Sequence, residues 1–167
     1  MVELDTQITK DGVIVVNHSD RIMDVTGRSC DHDGLRLHTV TYARAADVRC
    51  AGEPLARFEE VLDIFHDTDI RLNVEIKAWD NHFTQPDESL RDDARQIIRT
   101  LDEHGYAGRY ILSFFDWRVL LPTVRELHPD LYVIALERSS KMKQPTTRMF
   151  QAVRDAAALG ADAFEPD

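Results

Sequence analysis

Residues 71–77 read RLNVEIK, and the fold turns on how this stretch is interpreted. Leu72, Val74 and Ile76 alternate with Asn73, Glu75 and Lys77, the period-two signature of a strand with one apolar and one polar face. Residues 2–9, VELDTQIT, repeat it, with Val2, Leu4, Thr6 and Ile8 opposite Glu3, Asp5 and Gln7. Parallel barrels carry polar groups on their inward faces near the strand C-termini, so these two charged faces favour a barrel.

On the C-terminal side, Pro86 stands near a helix start, and Leu90, Ala94, Ile97, Ile98 and Leu101 form a helical stripe that stops at His104-Gly105. YILSFF (110–115) is the next strand, and Asp116 is placed to cap a helix carrying Trp117, Leu120, Leu121, Val124 and Leu127 before Pro129. LYVIAL (131–136) reads as a strand. Residues 146–159 read as a helix with Phe150, Val153 and Ala157 inward and Gly160 as its stop, and ADAFEPD (161–167) begins a final strand. On the N-terminal side, Phe58, Val61, Leu62 and Phe65 recur at helical spacing, and Asp11-Gly12 signals a hairpin that pairs residues 13–18 back antiparallel. Between them, residues 19–54 lose clean periodicity and read as a long excursion with a small hairpin near 35–42. Regular β-then-α alternation argues a parallel sheet of right-handed units, either an open doubly wound sheet or part of a (β/α)8 barrel. The polar faces favour the second. Fewer than eight units are present, and barrels typically take about 200 residues or more, so the expectation is an incomplete TIM barrel forming one domain over residues 1–167.

Composition narrows the function. The 167 residues are 43% hydrophobic and 30% charged, which suits one soluble domain with a real core and excludes a disordered or collagen-like chain. Twenty Lys and Arg against thirty Asp and Glu give a net charge of -10, which would repel a nucleic-acid backbone. Small phosphorylated substrates remain compatible, because a metal ion or a few placed cations reverse the sign inside a cleft. Cys30 and Cys50 form no CxxC spacing and fall in loop segments, so both read as reduced and structural, with neither a zinc site nor a disulfide framework implied. No stretch approaches a membrane helix, and Met1 is followed by Val-Glu-Leu-Asp rather than by a leader, which favours the cytoplasm.

Glu3 and Asp5 sit two apart on one strand, so their carboxylates project to the same side roughly 6 to 7 Å apart along the chain, within reach of one hard cation. Glu75 offers a third oxygen ligand, and three carboxylates without Cys suit Mg2+ or Ca2+ rather than zinc. An ordinary solvent-facing strand would show the same alternation, so spacing alone leaves both readings open. His18 ends the strand paired to the Glu3–Asp5 strand, where an imidazole could move a proton near neutral pH. His32, His38, His66, His82, His104 and His128 lie in loops or helix ends and read as surface residues. Lys77, on the face of Glu75, could meet a phosphate or simply pair with a carboxylate. GxSxG, Walker A and GxGxxG motifs are absent, which removes serine hydrolase, P-loop and Rossmann readings.

VELDTQITKDGVIVVNHSD resembles the ELD-x-x-x-T-KDG-x-x-VV-x-HD signature of the glycerophosphodiester phosphodiesterase family. LNVEIK resembles that family's third-strand metal motif, ILSFFDWRVLLPTVRELHPDL its next strand and helix, and GADAFEPD its sixth-strand segment. The resemblance implies that Glu3, Asp5 and Glu75 hold a divalent metal, Ca2+ or Mg2+, that His18 is one of two histidines acting as general acid and base, and that Lys77 faces the phosphate. It implies metal-assisted cleavage of a small glycerophosphodiester substrate to glycerol 3-phosphate and an alcohol. The family's first strand, with its His-Arg pair, would precede Val2, and two further βα units would follow Asp167. Asn17-His18-Ser19 stands where His-Asp is usual, and Phe114 where a serine is common. Barrel strands two to six are thus expected, with open edges that invite self-association. Two other readings remain: a catalytically impaired fragment that keeps a metal and phosphate pocket, and a phospholipase D-type lyase on a related barrel.

Overall fold

The computed structural model describes residues 1–167 except 24–27, 31–33, 80–84, 139–145 and 167. The surface readings of His32 and His82 lie outside the described residues. Six strands form one sheet in the order β2-β1-β3-β4-β5-β6, with β1 at Val2–Ile8, β2 at Ile14–Val16, β3 at Leu72–Ile76, β4 at Tyr110–Phe114, β5 at Val133–Glu137 and β6 at Ala163–Pro166. The expected hairpin forms. Gly12 takes φ +81°, its N–H donates to Thr9 O at 2.9 Å, and Thr6 pairs with Val16 in antiparallel register. A side chain at that φ would be strained, which is why the turn uses glycine. All other neighbouring strands are parallel.

Helices α2 (Phe58–Phe65), α3 (Asp87–Glu103), α4 (Trp117–Leu127) and α5 (Thr146–Ala158) fall between the strands. Leu72, Val74, Ile76, Leu112, Phe114, Val133 and Ala135 pack in one core with Phe58, Leu62, Ile97, Leu101, Trp117 and Leu120. Each Leu or Ile so buried contributes about 1.5–3 kcal/mol relative to exposure. The other sheet face carries Glu3, Asp5, Asn73, Glu75 and Ser113, placed there by the strict alternation of side chains. Helices on one face and polar groups on the other make the sheet a stretch of barrel wall; a doubly wound sheet would cover both faces. Among the described residues the sheet does not close. The outer side of β2 is partly covered, since Val16 N donates to Ala56 O at 3.0 Å and Val15 bridges Arg57.

Three sequence expectations are corrected. The small hairpin near 35–42 is instead a 3-10 turn at Leu37–Thr39 followed by α1 at Tyr42–Ala46. Its backbone groups bond elsewhere: Leu37 N donates to Asp20 O at 2.8 Å, and Lys10 N donates to Val40 O at 2.9 Å. Leu37 is thereby drawn into a second apolar cluster with Val15, Ile22, Ala45 and Leu55, which gives the 19–54 excursion a core of its own.

Cys30 and Cys50 are joined in a disulfide with Cα atoms 5.4 Å apart, not free and reduced. Both half-buried cysteines pack against that second cluster, and collapse around it brings together two residues 20 apart that no spacing rule connects.

Helix α5 forms, but its phase differs from the expected one. Ala152 and Ala156 are buried, whereas Phe150 is 58% and Val153 39% exposed, and Ala157 is exposed too. Small side chains let the helix backbone approach the sheet closely, so the alanine stripe rather than the bulkier one is turned inward.

Candidate active site

Asp5 stands opposite Glu75 in the parallel register of β1 and β3, and Glu3 lies two residues earlier on the same face. The register therefore gathers residues far apart in the chain, and single carboxylate oxygens of Glu3, Asp5 and Glu75 all fall within 4.8 Å of one another. Glu75 is buried, Asp5 half-buried and Glu3 exposed, so the group opens to solvent on one side. Lys77 joins it because its N–H donates to Thr6 O at 3.2 Å, which extends the ladder one step past β3 and keeps the side chain on the Glu75 face. Lys77 Nζ lies 3.0 Å from Asp5 Oδ1 and 2.7 Å from Glu75 Oε1.

Burial pushes the Glu75 carboxyl up to about 7, with Lys77 pulling it down and Asp5 and Glu3 adding to the rise. Burial and the Asp5 charge also raise Glu3. For Lys77, burial acts downward but the carboxylates of Glu75 and Asp5 outweigh it, so its ammonium is held more firmly than usual. Glu75 Oε1 is buried and in ionic contact with Lys77, yet among the described residues no donor is aligned on it for a hydrogen bond. A buried carboxylate oxygen of this kind, in a set of oxygen donors alone, fits a hard divalent cation.

His18 is exposed and makes no hydrogen bond among the described residues. Its neighbour Asn17 donates its backbone N–H to Asp5 O at 3.0 Å, which puts His18 one residue from the level of the carboxylates. The Asn17 side chain, bonded to Ser19 O and to Arg21 O, stiffens the turn that carries it.

The remaining histidines divide. His66, His104 and His128 bond Asp67, Thr100 O and Asp102, away from the carboxylates. His38, read as a surface residue, is instead built in. Its Nδ1 is 2.8 Å from both oxygens of Asp20, its ring stacks on Trp79 at 3.9 Å and 13°, and Asp20 is fully buried with Arg36 at 3.2 Å. Trp79 is fixed from below as well, since its N–H donates to Gln85 Oε1 at 3.0 Å and Gln85 Nε2 donates to Asp93 at 2.8 Å. Further along the same sheet face, the Phe115 ring just past β4 has Lys77 Nζ 5.8 Å and the Arg138 guanidinium 5.4 Å from its centroid. Trp79, Phe115 and Arg138 were not singled out from the sequence. The usable signal was parity, because 79 continues 75–77 and 115 continues 113 on the polar face.

The fold and the carboxylate group define the class: a parallel α/β barrel wall with an acidic, lysine-paired cluster at its polar face. The model of the Glycerophosphoryl diester phosphodiesterase family matches residues 1–167, and the chain belongs to that family. It is 27% identical over 139 residues to a glycerophosphodiester phosphodiesterase of Caldanaerobacter subterraneus, covering 79% of this chain and 52% of that one. The chain thus spans about half the length of that curated relative. A solved glycerophosphodiester phosphodiesterase from Parabacteroides distasonis superposes with a TM-score of 0.70 at 21% identity, covering 98% of this chain and 68% of that one. An Oleispira antarctica phosphodiesterase, solved with the product sn-glycerol-3-phosphate, gives 0.65 at 15% identity over 98% of this chain and 70% of that one. At these identities the structures speak for the fold.

Proposed function

We propose that this chain provides the metal- and phosphate-binding half of a glycerophosphodiesterase, which cleaves a glycerophosphodiester to glycerol 3-phosphate and an alcohol. The observation that carries this is the convergence of Glu3, Asp5 and Glu75 within 4.8 Å, with Lys77 on two of them. Glu3, Asp5 and Glu75 would hold a divalent cation, Ca2+ or Mg2+, which supplies neutralisation of the charge that develops on phosphate oxygens. Lys77, on the same face as these carboxylates, would present its ammonium to the phosphate as a point charge. His18, as one of the acid–base pair, would take the proton of the neighbouring glycerol hydroxyl as it attacks phosphorus and the bond to the alcohol oxygen breaks; the alcohol leaves protonated, and water then opens the cyclic phosphate to glycerol 3-phosphate.

The test is release of glycerol 3-phosphate from glycerophosphocholine with Mg2+ or Ca2+, with EDTA, and with His18→Ala. Metal-dependent turnover lost in the variant is expected. A folded, metal-binding chain without turnover would favour the impaired-fragment reading, which the exposure of His18 and its lack of a hydrogen bond among the described residues support. Choline release from sphingomyelin would favour the phospholipase D-type reading instead.

Two further readings follow from the fold. Among the described residues no strand lies beyond β6 and β2 pairs only with Thr6–Ile8 of β1, so a second copy in a homo-oligomer would find backbone groups to pair with at these edges. Among the described residues no helix is long and apolar enough to cross a membrane. The cytoplasmic placement expected from the sequence is set against the Cys30–Cys50 bridge, a bond that persists in oxidising compartments.

A further inference from the structure

We infer that Asn73 is a positioning residue for the metal site: its side-chain amide, clamped by Ser113, donates a hydrogen bond to the Glu3 carboxylate and holds it toward Asp5 and Glu75. The inference rests on the phosphodiesterase reading and adds to it a residue that touches neither substrate nor cation. Asn73 stands opposite Glu3 in the β1–β3 register, on the polar face and two residues before Glu75. Neighbouring strands lie about 4.8 Å apart, so an Asn amide and a Glu carboxylate across one ladder step are within hydrogen-bond reach of each other.

The amide is oriented from the β4 side. Ser113, 2% exposed, donates its Oγ–H to Asn73 Oδ1 at 3.0 Å. That contact takes the acceptor end of the amide and turns the nitrogen away from Ser113; the reverse orientation would set a carbonyl oxygen against the carboxylates. Nδ2 keeps both donors, since the Ser113 contact is the side chain's one hydrogen bond among the described residues. In register with Asn73, β4 offers the apolar Ile111 and β1 offers Glu3. Glu75, two residues further along, is about 6.6 Å away by strand rise and is already held by Lys77. Asp5 shares that ammonium, whereas Glu3 is exposed and has no ion pair among the described residues. A carboxylate so placed loses rotamer freedom when it converges with two others, and a donor fixed beside it lowers that cost.

Calorimetric titration of the chain with Mg2+ and with Ca2+ tests the assignment by affinity, without recourse to turnover. Asn73→Ala should weaken binding by about two- to fivefold, less than the roughly tenfold or more typical of outer-shell partners, because Glu3 is exposed. Ser113→Ala, which frees the amide but leaves its donors, should cost part of that. On a Glu3→Ala background either substitution should add nothing, a coupling that a purely structural role for Asn73 would not produce. Should Asn73→Ala not fold, Ser113→Ala and its cycle with Glu3→Ala carry the same test. An affinity unmoved by these substitutions, or an equal loss with Glu3 present and absent, overturns the inference, while a loss in Glu75→Gln keeps the metal site in place. A wild-type chain that binds neither cation removes the metal site and the role of Asn73 in it together.

Discussion

Lys77 Nζ stands 2.7 Å from Glu75 Oε1, two residues apart at the C-terminal end of β3, and the pair forms an internal ion pair in a cluster with two other carboxylates. The ammonium occupies the charge-balancing role that a divalent cation would take over. Glu75→Gln is therefore expected to weaken Mg2+ or Ca2+ binding by about tenfold or more, and Glu3→Ala to weaken it less, since Glu3 is exposed. Calorimetric metal titration at fixed ionic strength checks the order. Unchanged affinity in Glu75→Gln would place the cation elsewhere.

The Asp93 carboxyl, half-buried behind Gln85, gives a pH dependence of defined sign. Burial raises it to about 6 from an ordinary value of 3.8, with Gln85 opposing and Asp92 reinforcing. A carboxyl raised in the folded state binds more protons there than when unfolded, so its contribution falls as pH climbs from about 3.8 through 6. Asp93→Asn keeps an acceptor for Gln85 Nε2 and removes the charge. It should raise stability near pH 7 by about 1–2 kcal/mol and flatten that part of the profile. Urea unfolding between pH 4 and 8 tests it, and an unaltered slope would assign the effect to another group.

The Cys30–Cys50 bridge closes a loop of about 20 residues around the excursion's own apolar cluster. Loop-closure entropy at that length corresponds to about 3 kcal/mol. Dithiothreitol, or a Cys30→Ser/Cys50→Ser double variant, should lower the denaturant midpoint accordingly. A midpoint unchanged by reductant would mean the lobe holds without it.

His38→Ala would strip a fully buried Asp20 of one partner and Trp79 of its stacked ring. Breaking such a contact costs about 2–3 kcal/mol. Trp79 and Trp117 are the only tryptophans, and Trp117 is buried in the main core, so a change in emission reports on Trp79. Wild-type emission with full stability in His38→Ala would show the stack to be incidental.

The phase of α5 is separable by two substitutions. Ala156 is fully buried, so Ala156→Leu should overpack the helix–sheet contact and cost about 1–3 kcal/mol. Phe150→Ser, on the exposed stripe, should stay within about 0.5 kcal/mol. The opposite order, read from thermal unfolding, would restore the inward stripe expected from the sequence.

Periodicity carried much of this protein. Alternation in residues 2–8 and 72–76 settled which side chains share a face, and because side-chain direction in a strand is a local matter, Glu3, Asp5 and Glu75 were legible before any register was known. Asp11-Gly12, Pro86 and His104-Gly105 marked a turn and helix ends through backbone preferences that each residue carries by itself. Tertiary structure alone decided the rest. The Cys30–Cys50 pairing and the Asp20–His38–Trp79 contact join residues that meet only after the excursion has collapsed, and nothing in their spacing encodes the approach. The face of α5 turned inward was likewise set by how closely a helix can approach the sheet, a property of two surfaces together that a one-dimensional apolar stripe does not contain.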